Sequence, residues 1–210
     1  ITFQNTQGVF GAEHQTAESV RKQIQPILDD YEISGLKTGM LPTLEIIEEV
    51  AKIVERNNLP NLVVDPVVRS TSGFDLIDDF ALQSMIQKLF PLATVVTPNI
   101  PEAERITKME IKTEDDIRES AKIMQKFGAK SVLIKGGHFE DAGSKESRAA
   151  KDYLFVEDDC KVFEAEYIET SATHGTGCVL AAAITANLAN DKNLVDAIET
   201  AKVFVNNAIK

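Results

Sequence analysis

Ala93-Thr94-Val95-Val96-Thr97-Pro98-Asn99-Ile100-Pro101-Glu102 decides the fold class. Its β-branched run reads as a short buried strand, and the prolines and asparagine that follow end the strand and open a helix. Outward from it, similar apolar runs stand at 33 to 37, 61 to 65 and 131 to 135, each separated from the next by longer stretches of helical periodicity. That alternation is the mark of βα units, and it predicts an α/β fold with a mostly parallel central sheet flanked by helices on both faces.

The helical stretches carry their own boundaries. Ile46, Ile47, Val50, Ile53 and Val54 recur on one face after a Thr43 cap. Phe80, Met85, Ile86 and Leu89 follow Asp78 or Asp79, and Ile117, Ala121, Met124 and Phe127 follow Thr113, with Gly128 placed to stop the helix. A helix from about Thr16 to Leu28 contains Pro26, which removes a backbone donor and is expected to kink or restart it. Near the end, 152 to 156 and 161 to 165 flank Glu157-Asp158-Asp159 as a β-hairpin, and two helices finish the chain. The polar stretch from His138 to Lys151 reads as a surface loop or a lid.

No repeat and no linker interrupts this pattern, so residues 1–210 read as a single domain. Ile1 opens in mid-strand style and Lys210 ends inside a helical pattern. The domain is therefore expected to be incomplete at the N-terminus, and the C-terminus is open to the same reading. The 22 basic and 33 acidic residues give a net charge of -11, which speaks against a nucleic-acid surface. An anionic ligand then needs a local positive pocket. Two cysteines, Cys160 and Cys178, make no disulfide framework in a chain of 210 residues, and no leader or long apolar span is present. A cytoplasmic protein without a membrane partner is the expectation.

Several strand ends carry chemistry that packing does not require, and in open α/β sheets ligands collect outside the carboxyl ends of the strands. Asp65 ends Leu62-Val63-Val64-Asp65-Pro66, and Asn99 and Glu102 follow Thr97. Each alone fits a helix cap. Together, these oxygen-rich ends suit Mg²⁺ and a nucleotide's phosphates, because a hard cation takes oxygen ligands. Lys135 ends Val132-Leu133-Ile134-Lys135-Gly136-Gly137-His138, within reach of an anion or, alternatively, as a snorkelling lysine before a glycine turn. His138 reads as a loop residue, since no second histidine or cysteine stands at metal-site spacing.

Thr173-His174-Gly175-Thr176-Gly177-Cys178 feeds directly into the apolar helix Val179-Leu180-Ala181-Ala182-Ala183-Ile184. Backbone N–H groups at a helix start attract anions, and glycines let a phosphate come close. Cys178 in the first turn is expected to have a depressed pKa. The competing readings are a tight turn with a small packed thiol, or a hydrolase in which His174 activates Cys178.

Six ordered motifs together resemble the hydroxymethylpyrimidine/phosphomethylpyrimidine kinases of thiamine biosynthesis, in the ribokinase-like superfamily. They are Gln4-Asn5-Thr6-Gln7-Gly8-Val9, Lys37-Thr38-Gly39-Met40-Leu41, Val63-Val64-Asp65-Pro66-Val67, the run from Pro91 to Asn99, Lys135-Gly136-Gly137-His138 and the run from Thr173 to Cys178. The resemblance implies ATP- and Mg²⁺-dependent phosphorylation of the hydroxymethylpyrimidine and then of its monophosphate, a pyrimidine as small-molecule substrate, and a homodimer. It implies that Gln4 bonds the aminopyrimidine, that Met40 and Val67 pack on its ring, and that Lys135, Thr97 and Asn99 serve the nucleotide. It places Asp65 and Glu102 in the Mg²⁺ shell, Gly175, Thr176 and Gly177 in an anion hole, and Cys178 as the base.

Two departures from the family pattern matter. Members begin with a strand and a glycine-rich turn, so a sheet edge and part of the substrate pocket are expected to be missing here. The usual Val-Met pair is Val67-Val68, and Arg69-Ser70-Thr71-Ser72-Gly73 is the expected flap, where Arg69 meets a phosphate or stays an exposed loop arginine. The nearest alternative is a pyridoxal kinase of the cysteine-bearing type, which places a cysteine in that flap where Ser70 stands. A catalytically silent pyrimidine-sensing module is the reading from another class.

Overall fold

The computed structural model describes residues 1–5, 8–68, 75–136, 149–166, 168 and 175–209. Two antiparallel strands, β1 (Thr2–Asn5) and β2 (Gly8–Ala12), form a small sheet of their own. The main sheet has six strands in sequence order: β3 (Leu36–Thr38), β4 (Leu62–Val64), β5 (Val95–Val96), β6 (Ser131–Lys135), β7 (Ala149–Val156) and β8 (Asp159–Glu166). From β3 to β6 the pairs are parallel, and β7 and β8 add an antiparallel hairpin at one edge.

Sheet parity divides the core in two. Leu62, Val64, Val96, Val132 and Ile134 point to one face and pack with α2 (Leu44–Arg56), α3 (Asp79–Lys88), α4 (Ile100–Thr107) and α5 (Glu114–Lys126). Val63, Val95, Leu133, Leu154 and Phe163 point to the other and pack with α6 (Thr176–Ala189) and α7 (Leu194–Ile209). Leu133 is fully buried, and its truncation to alanine would cost about 2–5 kcal/mol. Helices on both faces of a mostly parallel sheet are the architecture the alternating pattern implies.

The caps at Thr43, Asp78 and Thr113 each accept a first-turn N–H, and Gly128 leaves α5 at φ +104°. Several details differ from the sequence pattern. The strand expected at 33 to 37 is Leu36–Thr38, because Gly35 is spent on a close approach to α6, where an added Cβ would lie 3.2 Å from the Ala189 Cβ. Helix α1 (Ala17–Asp30) runs on through Pro26 without restarting. Phe80 is 81% exposed, and Ala81 and Leu82 take the inward positions with Met85 and Ile86.

The hairpin is longer than its apolar runs. Ala149 to Lys151 are strand, so the polar stretch beginning at His138 ends earlier than expected; residues 137–148 lie outside the described set. The turn is Glu157-Asp158, with Glu157 at φ +51°, as a two-residue hairpin loop demands. The strand character expected at the opening residues is β1, but the pattern does not indicate β2 or the pairing of the two. Their turn is closed by Gly8 donating to the Asn5 side chain at 3.2 Å, and Phe3 covers Gly11 on the paired strand.

Candidate active site

The apolar row Val63, Val95 and Leu133 under α6 continues on the same face, two residues further along each strand, as Asp65, Thr97 and Lys135. β7 runs the opposite way, so Asp152 stands directly across from Lys135. The C-terminal ends of the parallel strands therefore lay a polar row along the sheet where the start of α6 meets it.

Asp65 is the hub of that row. It is 2% exposed, and its Oδ1 accepts from Thr97 Oγ1 at 3.1 Å and from Lys135 Nζ at 2.9 Å. The Cys178 thiol lies close enough to feel the same carboxylate's charge. Burial alone would lower the pKa of Lys135, but the carboxylates of Asp65 and Glu102 outweigh it and hold the ammonium above its ordinary range. Lys135 is a fixed cation.

α6 starts at Gly175, which has φ +81° and no side chain to cap the first turn. A helix start attracts anions, because its first-turn amides have no acceptor within the helix itself. Gly177 completes the approach: an added Cβ would sit 3.3 Å from Lys135 Nζ. The ammonium and the helix start are thus in contact.

Cys178 is exposed in the first turn of α6, but the expected depression of its pKa is not found. Partial removal from water pushes the thiol up, the Asp65 carboxylate pushes it further, and the pull of Lys37 and Lys135 does not compensate. Burial first, and the Asp65 carboxylate second, keep the thiol above its ordinary range. The ligand-free thiol holds its proton at neutral pH.

Asn99 and Glu102 form a reciprocal capping box on α4, with both bonds at 2.8 Å, so the helix-cap reading of these residues holds. Glu102 is 4% exposed, and burial raises its pKa to about 7 even though Lys135 and the Asn99 N–H favour the charged form. It caps the helix and also holds its proton more tightly than an exposed carboxyl does.

Met40 and Val67, both half-buried, follow the ends of the neighbouring strands β3 and β4, while exposed Gln4 lies on the small sheet. Gly137, His138, Thr173, His174 and the flap from Arg69 to Gly73 lie outside the described residues. Arg105 of α4 donates to the carbonyls of Val68 at 3.2 Å and Ile77 at 2.7 Å.

Sequence reasoning missed Asp152 and Lys202, which form a buried pair at 2.5 Å. Asp152 follows Lys151 in β7, and Lys202 shares α7 with Asp196 and Glu199, so charge alone did not single either residue out. With Lys135, Thr176 and Gly177, they border a cavity of about 180 Å³ whose other walls include Leu180, Val205 and Ile209. Lys37, whose charge reaches the Cys178 thiol, was noted only as part of a motif.

The phosphomethylpyrimidine kinase family model matches residues 1–210. The chain belongs to this family. It is a phosphotransferase with a ribokinase-like fold. The hydroxymethylpyrimidine/phosphomethylpyrimidine kinase of Haemophilus influenzae is 39% identical over 210 residues, covering 100% of this chain and 77% of the relative. Among solved structures, the phosphomethylpyrimidine kinase of Clostridium difficile 630 superposes with a TM-score of 0.82 at 37% identity, over 99% of this chain and 82% of that one. An ADP complex of Bacillus subtilis pyridoxal kinase reaches 0.79 at 38% identity, over 94% and 70%. No helix among the described residues is long and apolar enough to cross a membrane.

Proposed function

We propose that this kinase transfers the γ-phosphoryl group of ATP to the hydroxymethyl group of 4-amino-5-hydroxymethyl-2-methylpyrimidine, and a second one to the resulting monophosphate, supplying thiamine biosynthesis. The observation that carries this reading is Lys135 Nζ, held by Asp65 at 2.9 Å and packed against Gly177 at the start of α6. Phosphoryl transfer needs mainly alignment and charge neutralisation, and an ammonium beside a helix start supplies both to one phosphate. The partly apolar cavity next to Lys135, bordered by Leu180, Val205 and Ile209, suits the base and ribose of the nucleotide. Thr97 and Asn99 act from behind, Thr97 by fixing Asp65 and Asn99 by fixing Glu102.

The donor set fits Mg²⁺. The acidic donors are carboxylates only, and among the described residues no cluster of three or more acidic, histidine or cysteine side chains closes a full protein cage. Mg²⁺ commonly keeps water and takes one or two carboxylates together with substrate phosphates. Asp65 and Glu102 would hold it, and the raised pKa of Glu102 marks the place for added positive charge. When bound, the ion neutralises charge on the transferring phosphates.

Cys178 receives the hydroxyl proton. To do so the thiol first gives its own proton to solvent, which becomes easier once the Asp65 charge that disfavours thiolate is neutralised, and the thiolate then takes the hydroxyl proton as it leaves late in a loose transition state. Met40 and Val67 offer apolar contacts to the pyrimidine ring, and Gln4 offers an amide to its amino edge. The protein works in the cytoplasm as a homodimer, a reading supported by Phe3 and Phe10, 53% and 71% exposed on the small sheet and suited to cover by a second copy.

The likeness to pyridoxal kinase keeps one second substrate in view. ATP turnover with the hydroxymethylpyrimidine, its monophosphate and pyridoxal, measured side by side, decides between them. The expected result is the highest kcat/KM with a pyrimidine. Preference for pyridoxal, or no turnover of any of the three, would overturn the reading.

A further inference from the structure

Lys135 has two carboxylates to choose from on its own face of the sheet. Asp65 holds it at 2.9 Å, and Asp152 stands directly across from it in the β6–β7 pair, where opposed residues project from the same face. Asp152 is instead turned to Lys202, which reaches in from α7 at 2.5 Å, and each side chain of that pair is 10% exposed. Burying two charges brings little net stability, and apolar residues of similar volume do as well or better. Packing therefore does not account for the pair.

We propose that Asp152 and Lys202 are positioning residues that reserve Lys135 for the transferring phosphoryl group. Lys202 neutralises Asp152 from the helix side, so the ammonium of Lys135 stays on Asp65 and against Gly177. Without Lys202, Asp152 is a buried carboxylate whose nearest cation is Lys135, and the ammonium is drawn toward β7, off the start of α6. A misplacement of about 1 Å at the reacting centre costs up to about a hundredfold in rate. The rate consequence rests on the kinase reading above; the displacement of Lys135 does not.

The test uses the parent, Lys202→Met, and the double variant Asp152→Asn/Lys202→Met, in which both charges are gone. Thermal midpoints are recorded with kcat and the KM of each substrate. Lys202→Met is expected to lower kcat about ten- to a hundredfold at near-parent KM for the pyrimidine, and the double variant to recover most of it. Should Lys202→Met fail to fold, Lys202→Gln, which keeps a hydrogen bond to Asp152 without the charge, is expected to move kcat in the same direction. A second readout needs no substrate: alkylation of Cys178 by iodoacetamide at pH 9 is expected to slow in the single variant, as the favourable charge of Lys135 withdraws, and to return in the double. A single variant with a lower midpoint but parental kcat and parental alkylation would overturn the proposal and leave the pair as a pin between α7 and the hairpin. A double variant as slow as the single would do the same. A parent without turnover would sink the kinase reading alone, and the alkylation rates would still decide the position of Lys135.

Discussion

Lys135 Nζ and Asp65 Oδ1 lie 2.9 Å apart although the residues are 70 positions apart in sequence. Their side chains are 14% and 2% exposed, so the pair is cut off from water. Removing one partner of such a pair leaves an uncompensated buried charge, which costs about 3–5 kcal/mol. Asp65→Ala should therefore unfold at a markedly lower denaturant concentration, and adding Lys135→Met should return part of the loss while leaving the enzyme inactive. An Asp65→Ala midpoint equal to the parent's would show that the pair is not holding the strand ends together.

Glu102 makes stability depend on pH. Its folded pKa of about 7 lies above the ordinary 4.5, so between those values the native state keeps a proton that the unfolded chain has lost. Stability from this group is full below the unfolded value and falls as pH rises through the folded one, by at most about 1.4 kcal/mol per pH unit. Relative to the parent, Glu102→Gln in metal-free buffer should gain stability from pH 5 to pH 8. Equal differences from the parent at both pH values would contradict the assignment.

Two glycines should separate stability from activity. In Gly177→Ala the new Cβ lies 3.3 Å from Lys135 Nζ, so the ammonium must shift, while alanine favours the helix by about 0.5–1 kcal/mol. kcat should fall without loss of thermal midpoint. In Gly136→Ala the Cβ would come within 2.3 Å of the Lys151 carbonyl oxygen, a backbone atom that cannot yield cheaply. That variant should lose about 1–3 kcal/mol of stability. Reversal of the two phenotypes would refute the contacts.

The main sheet was legible from periodicity because Val63, Val95 and Leu133 are interior strand residues with helices between them, and local pattern carries that information. Asp65, Lys135 and Cys178 stood out because each ends an apolar run or opens one. What stayed hidden was pairwise. Nothing in the sequence says that Asp152 faces Lys135 or that Lys202 reaches it, because register and helix docking set those contacts. The Cys178 pKa was misjudged for the same reason: the helix start is visible in sequence, whereas the burial of the thiol and the neighbouring Asp65 carboxylate are not.

The raised pKa of Cys178 is open to a chemical test. Iodoacetamide should label it slowly at pH 7 and faster as pH rises past 9, with Asp65→Asn speeding the reaction at neutral pH by removing the charge that disfavours thiolate. Peptide mass spectrometry separates it from Cys160, whose thiol is also raised by burial. Fast labelling of the parent at pH 7 would restore the helix dipole as the dominant influence.

The proposed centre of the chemistry is the first turn of α6, where Cys178 takes the proton of the pyrimidine hydroxyl. The most direct measurement is kcat with the hydroxymethylpyrimidine for the parent and Cys178→Ala, alongside the Kd for the nucleotide. General-base assistance is worth about a hundred- to ten-thousandfold, so the alanine variant should lose kcat in that range, keep its nucleotide affinity, and regain part of the rate as Cys178→Asp. An alanine variant with parental kcat would reduce Cys178 to a packing residue and contradict the assignment of this helix start as the site of transfer.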